Sequence, residues 1–308
     1  VELDPLSSII RINQIDILTA LGRFEESETE LKYLLELDPD FAPAYAAMSF
    51  LVQATGRFDE QVLWIRKSID LDPGRIQLYQ ELAAAFLNMG DPQALDSIRQ
   101  AVEDLDSQHW VNGIMDSTAN IYAENYSGAR ESAVWTVDKI GPVPGVQEFL
   151  ALIYMVSDEF DKARQAFELA EPRYFDRQSW RAAIEQDAGL GCNVSFVMMR
   201  TGDEEMGQDL LQQVIAYLQY ELPSYVEHPH FHDSGCFAVT GDTDKTLDFL
   251  ELVVSHGHFA YWWFWFKLPQ FDLLQGEPRF IELQQRIDEK TAAMRNRMAM
   301  MDSTSVSN

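Results

Sequence analysis

Cysteine is scarce in this chain of 308 residues, which has only Cys192 and Cys236. Two cysteines are too few for a disulfide framework, so the sequence predicts a reducing, cytoplasmic environment. The alternative is a single disulfide in an exported protein. Apolar runs are also short, because the densest one, residues 259–271, is interrupted by Lys267 and Pro269. No run reaches the roughly 18 residues that a membrane span needs, so we expect no membrane insertion.

Positive charge is the second shortage. The chain has 23 Lys and Arg against 50 Asp and Glu, which gives a net charge of −27. Nucleic acids and anionic lipids are bound by cations that displace their counterions, so this balance argues against both as partners. A basic or amphipathic protein or peptide is the partner that the charge favours. The alternative is that the charge only keeps the protein in solution.

Signatures of catalysis and of β-structure are missing as well. The sequence contains no phosphate-binding loop, no nucleophile elbow and no paired-histidine zinc helix. Gly189 and Gly191 lack the third glycine and the preceding strand of a dinucleotide-binding loop. No stretch of useful length alternates apolar and polar residues as a half-buried β-strand does. We therefore predict a chain without strands that is not an enzyme and needs no cofactor.

Two markers recur at intervals of 34 residues. The first is Leu-Asp-Pro and the second is a glycine, followed in two copies by Arg-Phe. The copies are Leu3-Asp4-Pro5, Leu37-Asp38-Pro39 and Leu71-Asp72-Pro73, together with Gly22, Gly56 and Gly90. A fixed period of this length indicates stacked helix pairs. The glycine would end the first helix of a pair, and the proline would end the second.

These repeats resemble the tetratricopeptide repeat. The second copy supplies the residues that the family expects at its packing positions: Tyr45, Met48, Val52, Ile65, Ser68 and Pro73. Ile15 and Gln61 stand where a small residue is usual, so looser packing is expected there. The resemblance implies an all-α fold. It would be a right-handed superhelix, or α-solenoid, of about seven helical pairs with a C-terminal capping helix.

We expect one continuous solenoid with regular and worn parts. Residues 1–106 form regular repeats (units 8–41, 42–75 and 76–106), and 107–145 form a degenerate pair around residues 126–128. Further pairs occupy 146–222, with Asp158 in the glycine place and a turn at Gly202. Residues 223–308 hold the last pair, which turns at Gly241, then an aromatic cap and a final helix over 278–301.

The tail carries a second resemblance, over roughly residues 177–298. Its pattern P-x-F-x-x-L-x-x-x-P-x-F-x-x-L follows an aromatic block and is formed by Pro269, Phe271, Leu274, Pro278, Phe280 and Leu283. It is similar to the C-terminal repeat region of bacterial signalling proteins that carry a class III nucleotide cyclase or a winged-helix regulator. The resemblance implies a regulatory, protein-binding module that is a fragment of a longer protein.

The resemblance also implies a concave groove lined by the first helix of each pair. The predicted contact residues are Asn13, Asp16, Phe50, Gln53, Gln80 and Glu81. Chaperone-binding members of the family clamp a peptide carboxylate with cations, but here Ile12, Asp16, Gln77 and Glu81 occupy the matching positions. An acidic peptide end would be repelled, so the groove suits a basic or amphipathic segment. The alternative is an unused, solvated face.

Two other interpretations stay open. Histidines cluster at the entry and exit of the late repeat, and neutral imidazoles at such spacing can bind zinc or nickel. They are His228, His230, His232, His256 and His258. The chain would then be a metal- or small-ligand-sensing module. The aromatic block could cap the array or form a homodimer surface through Trp262, Trp263, Trp265 and Phe266. The final helix could likewise lie on the array or pair with a second copy.

Overall fold

The computed structural model describes residues 8–220 and 231–305. Every regular element in these ranges is helical. The chain divides into two compact units. Unit 1 contains residues 1–107, 256–260 and 285–308, and unit 2 contains residues 108–255 and 261–284.

Unit 1 begins with three helix pairs in sequence order. The helices are α1 (Ser8–Ala20), α2 (Phe24–Leu37), α3 (Ala42–Ala54), α4 (Phe58–Leu71), α5 (Gln77–Asn88) and α6 (Leu95–Asp106). Acidic side chains occupy the first turns of α2 and α4, where the helix dipole favours negative charge. Both helices end at the leucine of a Leu-Asp-Pro marker, Leu37 and Leu71, as the repeat pattern predicts.

Seams of apolar side chains join successive helices of unit 1. Ile15 of α1, Leu31 and Leu34 of α2, and Met48 and Leu51 of α3 form one buried cluster. Removal of such side chains from water is worth roughly 25 cal/mol per Å² of apolar area. Ile15 is 1% exposed and Gln61 is fully buried, so the looser packing expected at these positions does not open them to solvent.

The residue that follows the first helix of each pair has a left-handed backbone conformation, with positive φ. Gly22, Gly56 and Gly90 have φ of 72°, 70° and 72°. In later pairs the place is taken by Glu124 (φ 60°) and Asp158 (φ 57°), and then by Gly202 and Gly241. The prediction that Asp158 stands in a glycine place is confirmed. A left-handed conformation there costs a non-glycine residue about 1–2 kcal/mol.

The turn at Gly56 also forms a close contact with a distant segment of unit 1, residues 256–260. A Cβ atom on Gly56 would lie 2.3 Å from the carbonyl oxygen of Gly257 and 2.9 Å from the Phe259 ring. The Phe58 ring packs edge-on against Phe259, with 5.2 Å between centroids. The repeated Gly-Arg-Phe marker therefore has two roles in the second pair, because it makes the turn and receives this segment.

The C-terminal end of α17 (Pro278–Ser305) contributes to unit 1 as well. Arg297 donates a hydrogen bond of 2.6 Å to the buried carboxylate of Asp59, at the start of α4. Arg295 donates to the carbonyl oxygen of Met89. The apolar stripe that the sequence predicts on this helix is buried in its own chain: Phe280, Leu283, Ile287, Met294 and Met298.

Unit 2 continues the pairing. Its helices are α7 (Val111–Tyr122), α8 (Tyr126–Ile140), α9 (Pro144–Val156), α10 (Phe160–Ala170), α11 (Trp180–Gln186), α12 (Ala188–Arg200), α13 (Glu204–Tyr220), α14 (Ser234–Thr240), α15 (Thr243–His256) and α16 (Trp262–Trp265). In the degenerate pair of residues 107–145, the turn lies between Tyr122 and Tyr126, slightly before the predicted position at residues 126–128. The short helix α11 precedes the α12–α13 pair and has no counterpart in the predicted repeats.

Cys192 of α12 and Cys236 of α14 form a disulfide, and both residues are fully buried. The bond joins two pairs of unit 2 across a sequence separation of 44. It is the alternative that the sequence left open. Because disulfides persist mainly in oxidising compartments, it weakens the argument for a reducing cytoplasm.

The prediction of an all-α, α-solenoid fold with about seven pairs is confirmed for the described residues, where α1–α10 and α12–α15 form seven pairs. That all pairs follow one continuous right-handed path stays a prediction. Within the described ranges, no helix combines the length and the apolarity required to cross a bilayer.

Candidate partner-binding groove

The predicted contact residues lie on the first helices of the three pairs of unit 1. The 34-residue period places Asn13 of α1 and Glu81 of α5 at equivalent positions, and Asp16 and Phe50 at another equivalent pair. Phe50 is 44% exposed, so part of its ring faces solvent. Asn13 and Asp16 are exposed, whereas Gln53, Gln80 and Glu81 are half-buried.

Glu81 is the most unusual member of this set. Burial raises the pKa of its carboxyl group, and interaction with the Gln53 side chain offsets this only in part. The Gln53 amide nitrogen is itself buried, and no acceptor within the described ranges lies at full hydrogen-bonding distance from it, so this interaction is a weak one. No lysine or arginine pairs with Glu81 among the residues that the structure describes. A half-buried carboxylate without a cation loses part of its hydration, and this disfavours the charged form. The Glu81 carboxyl group therefore gives up its proton less readily than that of an ordinary glutamate.

Phe50, Gln53 and Glu81 form a contiguous patch. Phe50 and Gln53 are three residues apart on α3 and so share one face of that helix. The Gln53 side chain connects this face to Glu81 on α5. Asp16 of α1 is exposed, and partial desolvation raises the pKa of its carboxyl group as well. The patch thus combines an exposed apolar ring with an embedded acid.

Two arginines of the first two pairs are already bound to acids of unit 1. Arg23 bonds to Glu26, and Arg57 bonds to Glu28 at 2.7 Å. These pairs are partly or fully exposed and contribute little stability individually. Glu81 takes no part in these ion pairs of the described residues.

The aromatic block of unit 2 is largely internal. Trp263 is 6% exposed and Phe266 is 7% exposed. The Trp263 ring packs against Tyr122 of α7, and Phe266 packs against Phe280 with 4.7 Å between centroids. The block packs against α7 of the fourth pair and also against Phe231, which lies just before the first helix of the last pair. A homodimer through this block stays a prediction and would have to use the half-buried Trp262 and Trp265.

Comparisons with known proteins give only distant likenesses. No protein-family model and no curated protein matches the chain. The similar solved structures include the following three. PilF of Pseudomonas aeruginosa shares 16% identity, with 69% of this chain and 91% of that chain covered and a TM-score of 0.44. PilW, described as a widely conserved type IV pilus biogenesis factor, shares 12% identity, with 71% and 98% covered and a TM-score of 0.47. The TPR domain of P58(IPK) shares 11% identity, with 94% and 98% covered and a TM-score of 0.29. These likenesses add nothing to what the helix pairing establishes by itself.

The histidine cluster falls mostly outside the described residues. His228 and His230 lie outside them, as does the side chain of His232. His256 and His258 are described, and their ring centroids are 6.0 Å apart. No group of three or more potential metal ligands occurs in the described part of the chain. Metal binding by the five histidines remains an untested prediction.

The sequence did not reveal two features of this region and of unit 2. The embedding of Glu81 and its contact with Gln53 depend on how α3 and α5 pack, which repeat positions alone do not specify. The disulfide was left open as an alternative and not predicted, because two cysteines in a sequence do not show by themselves whether they are bonded.

Proposed function

We propose that the chain is a non-catalytic protein-interaction module whose unit 1 groove binds a basic, amphipathic polypeptide segment. The observation that carries the proposal is the embedded Glu81 carboxylate, which contacts the Gln53 amide and no cation among the described residues. A lysine or arginine of the partner would supply the counter-charge. An apolar side chain one turn away on the partner would cover Phe50.

Long-range charge supports the same partner. The net charge of −27 attracts basic segments and speeds their encounter with the protein. Long-range attraction alone does not select a site. Selection would come from Glu81 and Phe50, because a charge-assisted contact and an apolar contact must then be satisfied by one segment.

The wider setting of the module is proposed on sequence resemblance alone. The aromatic and proline pattern of residues 269–283 is similar to the end of the repeat region of bacterial signalling proteins. We therefore propose a regulatory role within a larger protein of that kind.

The test uses three labelled helical peptides of equal length, with Lys/Leu, Glu/Leu and Gln/Leu composition, in fluorescence anisotropy titrations. We expect the basic peptide to bind and the other two to bind far more weakly. Glu81→Gln and Phe50→Ala should each reduce the affinity by about 10- to 100-fold, since a charge-assisted or buried aromatic contact is worth roughly 1.5–3 kcal/mol.

Leu63→Ala is the matched control. Leu63 is 38% exposed like Phe50 but lies on α4, a second helix of a pair. Its replacement should leave the affinity unchanged. Equal affinity of the wild type, Glu81→Gln and Phe50→Ala for the basic peptide would remove the groove from consideration.

A further inference from the structure

Unit 2 contains an aromatic cavity that is separate from the groove of unit 1. Its volume is about 430 Å³, which lies in the range of ligand pockets, roughly 300–1,000 Å³. Four aromatic side chains form its apolar lining: Tyr122, Trp262, Trp263 and Phe266. Tyr122 ends α7, and the other three belong to α16 and the residue that follows it.

The rings stand at steep angles to one another. Tyr122 and Trp263 are 5.4 Å apart with 62° between their planes, and Trp262 and Phe266 are 6.3 Å apart with 68°. Walls in different planes can offer both a face and an edge to a ring that enters between them. Aromatic pairs prefer such offset and edge-to-face contacts.

The charges beside the cavity neutralise each other. The Lys267 ammonium lies 2.6 Å from a carboxylate oxygen of Glu124, and this bond lowers the pKa of Glu124. Glu124 occupies the left-handed turn position, with φ of 60°, that glycine fills in the first three pairs. In a chain of net charge −27, this site therefore presents no net charge. A neutral ligand fits it better than a cation or an anion.

Two amide side chains complete the lining. Gln275 is exposed and Gln284 is half-buried. Each amide can both donate and accept, so the pair can bind the polar atom of an indole or a phenol, or a peptide amide beside it.

We propose that this cavity binds a tryptophan or tyrosine side chain of a polypeptide partner. The four rings supply the aromatic contacts, the glutamine amides pair with the polar atoms, and the Lys267–Glu124 pair keeps the site neutral. The site lies wholly in unit 2 and does not depend on the function proposed for unit 1.

The test follows N-acetyl-5-fluoro-tryptophanamide by fluorine NMR in the presence of the full chain. We expect saturable binding in the millimolar range or tighter, as small fragments usually show. N-acetyl-leucinamide, which lacks the ring, should fail to displace the probe. Trp262→Ala should weaken binding about tenfold, because it removes one aromatic wall.

Two further variants protect the test against misfolding. Gln275→Trp leaves all four rings in place and blocks the cavity from its exposed rim, so it should abolish binding. Trp265→Ala changes a half-buried tryptophan of the same helix that does not line the cavity, and it should bind like the wild type. Absence of saturable binding by the wild type, or undiminished binding by Gln275→Trp, would overturn the proposal.

Discussion

Replacement of Gly56 by alanine tests the most specific packing feature of unit 1. Two independent costs apply at this position. The backbone is left-handed, with φ of 70°, and a Cβ atom would stand 2.3 Å from the carbonyl oxygen of Gly257. The second obstacle is backbone, so it cannot rotate away as a flexible side chain would. Residues 256–260 would have to move from the turn.

The expected loss follows from adding the two costs. A left-handed alanine costs about 1–2 kcal/mol, and overpacking typically costs about 1–3 kcal/mol. Gly56→Ala should therefore lower the free energy of unfolding by about 2–5 kcal/mol. Gly241→Ala isolates the first cost, because Gly241 has φ of 76° and a Cβ atom placed there would meet nothing within 4 Å among the described residues. That control should lose only about 1–2 kcal/mol.

Urea denaturation followed by circular dichroism would measure the free energies. Hydrogen exchange of the peptide containing residues 256–260 would measure the local effect, and Gly56→Ala should accelerate it while Gly241→Ala should not. If the two variants lose the same free energy and the exchange of this peptide is unchanged, the contact between Gly56 and Gly257 has no energetic importance.

Two other predictions concern the acid of the groove and the disulfide. Because burial raises the pKa of Glu81 above its ordinary value of 4.5, the folded state binds more protons than the unfolded chain just above that pH, and stability falls as the pH rises. Urea denaturation at pH 5 and pH 8 should show a smaller fall for Glu81→Gln than for the wild type or for the exposed control Glu103→Gln. Equal falls in all three would contradict this expectation. Replacing Cys192 and Cys236 together by alanine should cost about 4 kcal/mol for a closed loop of this length. An unchanged denaturation midpoint, compared with the wild type under oxidising conditions, would show that the bond does not stabilise the fold.

The parts of the fold that could be predicted from sequence depend on near neighbours. Each pair packs on the next, so most contacts join residues that are close in sequence. The 34-residue period is therefore enough to predict them. Gly22, Gly56 and Gly90 were placed correctly in left-handed turns, and so was Asp158, which has no glycine to mark it. Both Leu-Asp-Pro markers that follow a described helix end that helix as predicted. These features are local, and their physical causes can be read from a few residues.

The features that escaped prediction join residues far apart in the chain. Gly257 contacts Gly56, and neither segment has a sequence pattern that predicts this contact. The exposure of Phe50 could be expected from its repeat position, whereas the embedding of Glu81 depends on the packing of α3 against α5. The aromatic block was recognised, but the choice of Tyr122 as a neighbour of its tryptophans required the structure.

The two proposed binding sites favour different ligands, a cationic segment in unit 1 and an uncharged aromatic ring in unit 2. The salt dependence of the affinity should therefore distinguish them. Binding in the groove of unit 1 brings a cation to Glu81 in the field of an acidic protein, so its affinity should fall as ionic strength rises and shortens the Debye length to about 8 Å at 0.15 M. The cavity of unit 2 contains a neutralised Lys267–Glu124 pair, so binding of an uncharged aromatic probe should be nearly independent of salt. Glu81→Gln should then reduce the salt dependence of the basic peptide without affecting the aromatic probe. Because this variant is expected to be at least as stable as the wild type at neutral pH, a loss of peptide binding would report on the site rather than on unfolding.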